Sequence, residues 1–335
     1  MKAWQYTTLG GKLEESLALK ASAPAPNKSS LSKDQILIEV MTASINPVDY
    51  KLPESGLLGK LSIKTPASPG LDFCGRVVAK HASNIALKEG QLVFGALGKA
   101  SKFGTLGQFT IISSSECTLL PLGVGKDEAA GAGTAALTAY QSLLPDVVKP
   151  GSNVFINGGS GGVGTFGIQF AKALGAQVTT TCSTANVGLC KGLGADEVLD
   201  YKKADVVSEL KKKGQVFDLV VDNVGNPALY ENSEAFLKPT GTFVQVSIQL
   251  SFVAMGTMIR RMLQPAFLGG SRRRFHFVRV QSRNEDYVQI GKWLAEGKAK
   301  TIIDQVFKWE DAPKAFEMLR TGRTRGKIIV HVTEK

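Results

Sequence analysis

Cysteine and histidine are scarce in this 335-residue chain. The four cysteines (Cys74, Cys117, Cys182, Cys190) form no C-x-x-C pair, and the three histidines (His81, His276, His331) lie far apart. A disulfide framework and a zinc site therefore lack their ligands, and reduced thiols in a cytoplasmic protein are expected. Acid is also in deficit, with 29 Asp and Glu against 40 Lys and Arg and a net charge of +11. The basic excess is scattered apart from 211–213 and 272–274, and no aromatic–basic interleaving accompanies it, so a nucleic-acid partner is not expected. The start MKAWQYTTLGG has no apolar core of a secretory signal. Two runs carry no charge, 150–171 and 239–259. The second holds Thr240, Gln245, Ser247, Gln249 and Ser251, too polar a set for a membrane span.

What is present has a clear order. Residues 1–122 read as mainly β, with strand signals at 36–40, 76–78, 92–94 and 108–112 between Gly and Pro clusters. Asn46-Pro47 reads as a turn. An alanine-rich helix is expected over 128–144. From Val154 the pattern alternates: strands at 154–156, 177–181, 198–199, 217–222 and 241–246, with helices at 163–174, 187–193, 205–213 and 228–237 between them. Repeated β-α-β order means a parallel sheet with helices on both faces. A strand at 275–280, a helix at 285–296, a strand at 302–307, a helix at 310–320 and a strand at 327–332 follow. The fold class is α/β. A β-rich domain of 1–122 and 276–335 is expected beside a doubly wound domain of 123–275, with a cleft between them.

The centre of the chain is VFINGGSGGVGTFGIQFAKALGA, residues 154–176. A short apolar strand runs into Gly158-Gly159-Ser160-Gly161-Gly162-Val163-Gly164, and an apolar helix follows. Gly159, Gly161 and Gly164 fit G-x-G-x-x-G between the strand and helix that the motif requires. Such a turn brings backbone N–H groups and a helix N-terminus to a pyrophosphate. The loop after the next strand, Cys182-Ser183-Thr184-Ala185-Asn186, carries no Asp or Glu to accept from a ribose 2′-hydroxyl. Ser183, Thr184 and Asn186, with Lys191 one helical step on, suit a 2′-phosphate, so NADPH is expected in preference to NADH. Helix capping by the same hydroxyls is the competing reading.

As a set, Asn46-Pro47-Val48-Asp49, Pro69-Gly70-Leu71-Asp72-Phe73-Cys74-Gly75, Ala136-Leu137-Thr138-Ala139-Tyr140, the glycine turn, the run from Leu193 to Tyr201, Asp222-Asn223-Val224-Gly225 and Gly326-Lys327-Ile328-Ile329-Val330 resemble the medium-chain dehydrogenase/reductase superfamily in its zinc-free quinone reductase branch. The resemblance implies a GroES-like β-rich domain plus a Rossmann doubly wound parallel sheet. It also implies that Thr138, Tyr201, Asn223, Val224, Gly225, Ser247, Ile248 and Lys327 lie among the cofactor contacts. The zinc branch has a catalytic Cys where Asn46 stands and a His-Glu pair where Leu71-Asp72 stands, so no metal is expected.

Hydride delivery without a metal calls for an acceptor that is already electrophilic, an α,β-unsaturated carbonyl or a quinone. Asn46 is a candidate donor to the substrate oxygen. Some enoyl reductases of the family carry a tyrosine about a dozen positions into the Asn-Pro motif. Gly56-Leu57-Leu58-Gly59 occupies that place, which leaves Tyr50 and Lys51 as the nearest substitutes and water or a ribose hydroxyl as alternatives. A homodimer is expected. The segment 251–274 mixes Met and Phe with arginine and reads as a cover over the substrate, a dimer helix or, less naturally, a patch against anionic membrane. A non-catalytic NADPH-binding role (crystallin-like or regulatory) and a trans-acting enoyl reductase of a biosynthetic pathway are the alternative functions.

Overall fold

The computed structural model describes residues 1–84, 86–144, 146–247, 256 and 273–333. The chain divides into two compact units, one of Met1–Leu137 with Gln281–Lys335 and one of Thr138–Val280. Sequence patterning put the divisions at 122/123 and 275/276. The observed first division falls inside one helix, which carries the chain from one unit to the other.

The first unit opens with β1 (Ala3–Gln5), α1 (Leu13–Ser16) and β2 (Ala18–Lys20), the two strands pairing antiparallel. Then come β3 (Gln35–Ile45), α2 (Pro47–Glu54), α3 (Leu57–Ser62), β4 (Asp72–Lys80), β5 (Leu92–Ala96), β6 (Phe109–Ser113) and β7 (Cys117–Leu119). α4 (Lys126–Ser142) leads to the second unit: β8 (Asn153–Asn157), α5 (Gly162–Ala173), β9 (Gln177–Cys182), α6 (Val187–Gly192), β10 (Glu197–Asp200), α7 (Val206–Lys213), β11 (Phe217–Asp222), α8 (Pro227–Glu231), β12 (Leu237–Gln245) and β13 (Arg274–Phe277). The chain returns to the first unit with α9 (Asn284–Ala295), β14 (Ile303–Lys308), α10 (Ala312–Arg320) and β15 (Lys327–His331).

In the first unit, β14-β15-β3-β4-β5-β7 form one sheet, with β6 also on β3. Ile36, Ile38, Val40, Phe73, Val77, Val93, Ile328 and Val330 from it fill a core closed by Trp4, Trp309 and Phe316. In the second unit the order is β10-β9-β8-β11-β12-β13, all parallel. Counted from β8, that is the 3-2-1-4-5-6 order whose reversal between β8 and β11 opens a ligand crevice at the carboxyl ends of those strands. Phe155, Phe217, Val220 and Phe243 pack one face of it. All four cysteines are free and buried. Among the described residues no helix is long and apolar enough to cross a membrane.

Two departures from the sequence reading have clear causes. The Asn46-Pro47 turn is the start of α2. Pro47 sits at the first helical position, where a missing N–H costs nothing, and the Asp49 carboxylate accepts from the Asn46 backbone N–H at 2.7 Å. The helix expected over 228–237 stops at Glu231, where the Asn232 side chain donates to the Ala228 carbonyl. Leu237, apolar at helical spacing, instead enters the ladder opposite Phe217 and is fully buried there.

Candidate functional site

In the second unit β8 and β11 end side by side, Asn157 opposite Asp222, at the place where a candidate site is built. Asn157 Nδ2 donates to Asp222 Oδ1 at 2.8 Å, and its Oδ1 accepts from Thr181 Oγ1 at 2.6 Å. Thr181 Oγ1 in turn accepts from the Gly158 N–H at 2.8 Å, so β8, β9 and β11 are laced together beneath the turn. The turn depends on glycine at defined places. Gly158 lies at φ +83, in the left-handed region. A Cβ on Gly159 would stand 2.1 Å from Thr180 Oγ1, and one on Gly164 would stand 2.1 Å from the Gly158 carbonyl oxygen. Gly161 differs, because its nearest neighbour would be 3.9 Å away. It has ordinary backbone angles, caps α5 and offers no side chain to the first N–H groups of that helix. Gly162, Val163 and Gly164 thus present N–H groups that helix geometry leaves without an intrahelical partner, beside an open cradle.

Asp222, 1 % exposed, organises the loop that follows β11. Beyond Asn157, its carboxylate accepts from the backbone N–H groups of Val224 and Gly225, both at 3.0 Å, and of Asn226 at 2.8 Å. Gly225 takes φ +82 and packs against the Ser247 carbonyl. Val224 is exposed. The Asn223 amide is different: both Nδ2 and Oδ1 are shielded from solvent and neither has a partner among the described residues. Unmet buried amide groups are costly, so a ligand's donor and acceptor suit this place.

At the far end, Asn186 Nδ2 donates to Ser160 Oγ at 3.2 Å and Ser183 Oγ at 3.3 Å, which ties the glycine turn to the loop after β9. That loop has no acid of its own, but β10 brings one. Asp200 pairs with Cys182, and its Oδ2 accepts from Thr184 Oγ1 at 2.6 Å. That hydrogen bond, with Lys202 and Lys203 nearby, holds the Asp200 carboxyl below the usual carboxylate range. Tyr201 is half exposed with the Lys202 ammonium 5.6 Å from its ring centre, and Lys191 is exposed on α6. Thr138 is buried on α4, and its carbonyl accepts from Ser142 Oγ. Ser247 is half-buried. Ile248 lies outside the described residues, as does nearly all of the segment 251–274. The strand order explains why Asp200 escapes a linear reading: it is separated from the loop by α6 and reaches it only across the β9–β10 ladder.

The β-rich unit holds a second polar cluster. Asn46 caps α2 and is buried. Lys327, 3 % exposed on β15, directs its Nζ to Asn46 Oδ1 at 2.5 Å, Asp72 Oδ2 at 3.2 Å and the Ile45 carbonyl at 3.3 Å. Asp72 Oδ1 accepts from the backbone N–H of Thr134 at 2.8 Å and from its hydroxyl. Asp49 lies buried beside this group. Burial first, and the Asp72 charge second, push its carboxyl up to about 8 against the opposing pull of the Asn46 N–H and Lys327. Asn46 Nδ2 is shielded and has no partner among the described residues.

Tyr50 and Lys51, the substitutes for the missing tyrosine, face other surroundings. The Tyr50 ring lies against the Arg320 guanidinium, 4.5 Å from its carbon, and Arg320 is bound by Glu14 at 2.7 Å and by Glu54. Burial raises the Tyr50 hydroxyl above its ordinary value. Lys51 is exposed.

Comparison with known proteins matches residues 32–140 to the alcohol dehydrogenase GroES-like domain and residues 193–330 to the zinc-binding dehydrogenase domain. A trans-enoyl reductase of Aspergillus terreus is 46% identical over 100% of this chain and 97% of its own length. The 2-methylene-furan-3-one reductase of Solanum lycopersicum is 33% identical over 99% of this chain and 79% of its own. The solved structure of a quinone oxidoreductase from Coxiella burnetii superposes with a TM-score of 0.85, at 31% identity, over 99% of both chains. Zinc, which the second domain's description names, does not suit the residues present. Among the described residues no group of three or more His, Cys, Asp and Glu is placed to hold a metal ion, and both Asp72 oxygens are taken by Lys327 and Thr134.

Proposed function

The chain belongs to the medium-chain dehydrogenase/reductase superfamily, and we propose that within it the protein is a zinc-independent, NADPH-dependent reductase of α,β-unsaturated carbonyls or quinones. The observation that carries this reading is the open glycine cradle at Gly161 with the unmet Asn223 amide beside it, in a chain whose relatives reduce activated double bonds and quinones.

The N–H groups of Gly162, Val163 and Gly164 hold the pyrophosphate, and Ser160 and Asn186 close the turn around it. Asn223 and the loop of Val224 and Gly225 receive the nicotinamide end, with Thr138, Ser247 and Ile248 as further contacts. Ser183, Lys191 and Tyr201 receive the adenosine 2′-phosphate, while Thr184, expected from the sequence to join them, gives its one hydroxyl proton to Asp200. NADPH is favoured because no carboxylate stands on the 183–186 loop and because Lys202 and Lys203 offset the charge of Asp200, itself engaged by Thr184. The bound nicotinamide supplies a hydride to the electrophilic carbon of the acceptor. Asn46 Nδ2 donates to the acceptor's carbonyl oxygen, where negative charge grows. With Tyr50 turned to Arg320, water delivers the closing proton, to the α-carbon of an enone or to the oxygen of a reduced quinone.

Two measurements test the reading. Apparent KM is compared for NADPH and NADH, and a preference for NADH overturns the cofactor assignment. Turnover with NADPH is then measured on a quinone, a short enone and an enoyl thioester. Binding of NADPH with no turnover on any of them overturns the reductase. Since the fungal trans-enoyl reductase is 46% identical over the whole chain, the thioester is expected to be the best of the three.

A further inference from the structure

Lys327 has the means to set how Asn46 works. An ammonium has three N–H donors and no acceptor. Here the Nζ faces three oxygens, of Asn46, Asp72 and Ile45, so its donors are used up and none is left for a substrate. The same chemistry fixes the Asn46 amide. Only Oδ1 can face an ammonium, which turns Nδ2 the other way, and Nδ2 is the group left shielded and unpartnered among the described residues. The backbone end of Asn46 is held as well, since its N–H donates to Asp49. The order of donation runs from Thr134 to Asp72, from Lys327 to both Asp72 and Asn46, and ends at Nδ2.

We propose that Lys327 is a positioning residue: it locks the Asn46 amide with Nδ2 turned away from the ammonium and unspent and, through its charge on Oδ1, makes that N–H a stronger donor to the substrate oxygen. This rests on the reading of Asn46 as that donor. A charge-assisted hydrogen bond to the amide oxygen polarises the amide, and in a buried setting the effect is felt at the opposite nitrogen. Lys327 has a second duty, to balance Asp72, which is fully buried.

The test is a double-mutant cycle on the purified enzyme with NADPH and an enone, using Asn46→Ala, Lys327→Met and the pair together. Because Lys327→Met leaves Asp72 without its cation, Lys327→Met/Asp72→Asn is run in parallel, with and without Asn46→Ala. Thermal unfolding identifies the folded variants. Asn46→Ala is expected to lower kcat on the order of 10²-fold, as loss of one oxyanion donor does. Lys327→Met is expected to lower kcat on the order of tenfold or more with KM for NADPH unchanged, as loss of a group orienting a working ligand does. In the Asn46→Ala background the lysine substitution should cost nothing further. If Asn46→Ala keeps full kcat, the donor reading itself falls. If Asn46→Ala is impaired but the lysine substitution costs as much without Asn46 as with it, the donor reading stands and the positioning role is wrong. A rise in KM for NADPH without a change in kcat also overturns it and makes Lys327 a cofactor contact.

Discussion

Alanine at Gly164 and alanine at Gly161, made separately, divide the two duties of the glycine turn. A methyl group on Gly164 would stand 2.1 Å from the Gly158 oxygen and 2.7 Å from the Gly159 Cα, both backbone atoms with no rotamer to yield. The strand end and the helix start must therefore move apart. Overpacking of this kind costs about 1–3 kcal/mol, and the helix-forming advantage of alanine over glycine returns up to about 1 kcal/mol. The difference spans about 0–3 kcal/mol, and because both clashing atoms are backbone we take its middle, about 1–2 kcal/mol, which lowers Tm by roughly 2–8 °C in domains of this size. On Gly161 the nearest atom is 3.9 Å off and the backbone angles are ordinary, so the fold should lose less than about 1 kcal/mol, the difference between glycine and alanine as a helix cap. The methyl group does, however, fill the cradle. Losing one charge-assisted hydrogen bond to the pyrophosphate weakens binding by about 1.5–3 kcal/mol, or on the order of 10- to 100-fold in Kd for NADPH. Differential scanning calorimetry of the cofactor-free proteins and fluorescence titration with NADPH read the two effects apart. A Gly161→Ala protein with wild-type Tm and a Kd within about twofold of wild type would refute the placement of the pyrophosphate. An unchanged Tm in Gly164→Ala would refute the close contact between helix and turn.

Asp222→Ala removes the one acceptor shared by Asn157 Nδ2 and three backbone N–H groups, so a loss of about 3 kcal/mol or more is expected in urea unfolding, with NADPH binding weakened as the 223–226 loop relaxes. Asp49 gives a pH dependence whose sign is fixed by its raised carboxyl. The native state keeps a proton that the unfolded chain releases near pH 4, so the Asp49 contribution to stability is complete below that value and is lost as the pH rises toward about 8. Asp49→Asn keeps an acceptor for the Asn46 N–H and removes the titration. Urea unfolding at pH 5.5 and 8 should therefore show a smaller fall in stability for the variant than for the wild type, and equal falls would show that Asp49 is ionised throughout.

The parts of the fold that showed in the sequence are those written in short-range pattern. The strand 217–222 carries Phe217, Leu219, Val220 and Val221 between two aspartates and occurs at the residues read for it. The glycine turn announces itself because its spacing serves one strand–helix unit. The α2 helix was equally local, since Asn46-Pro47-Val48-Asp49 carries both a first-turn proline and a capping acid, yet the proline read as a turn. What no local pattern carries is pairing across the chain. Lys327 meets Asp72 over 255 residues of sequence, and nothing near either one marks the other as partner. Asp200 reaches Thr184 through strand order rather than proximity in the sequence. The unmet amides of Asn46 and Asn223 are visible only once everything around them has been placed.

The strand β15 sits inside its sheet, between β14 and β3, with Ile328 opposite Ile45. During synthesis this imposes an order of completion. Residues 138–280 form a contiguous unit that can close as soon as it leaves the ribosome, while residues 42–45 of β3 wait with one hydrogen-bonding edge open until residues 327–331 arrive. The strand that fills that edge also delivers Lys327 to Asn46. The half of the protein assigned to the nucleotide can therefore be finished while the half assigned to the substrate is still without its lysine, and a nascent chain stalled before residue 327 should bind NADPH, if the proposed reading holds, yet leave residues 42–45 open to protease.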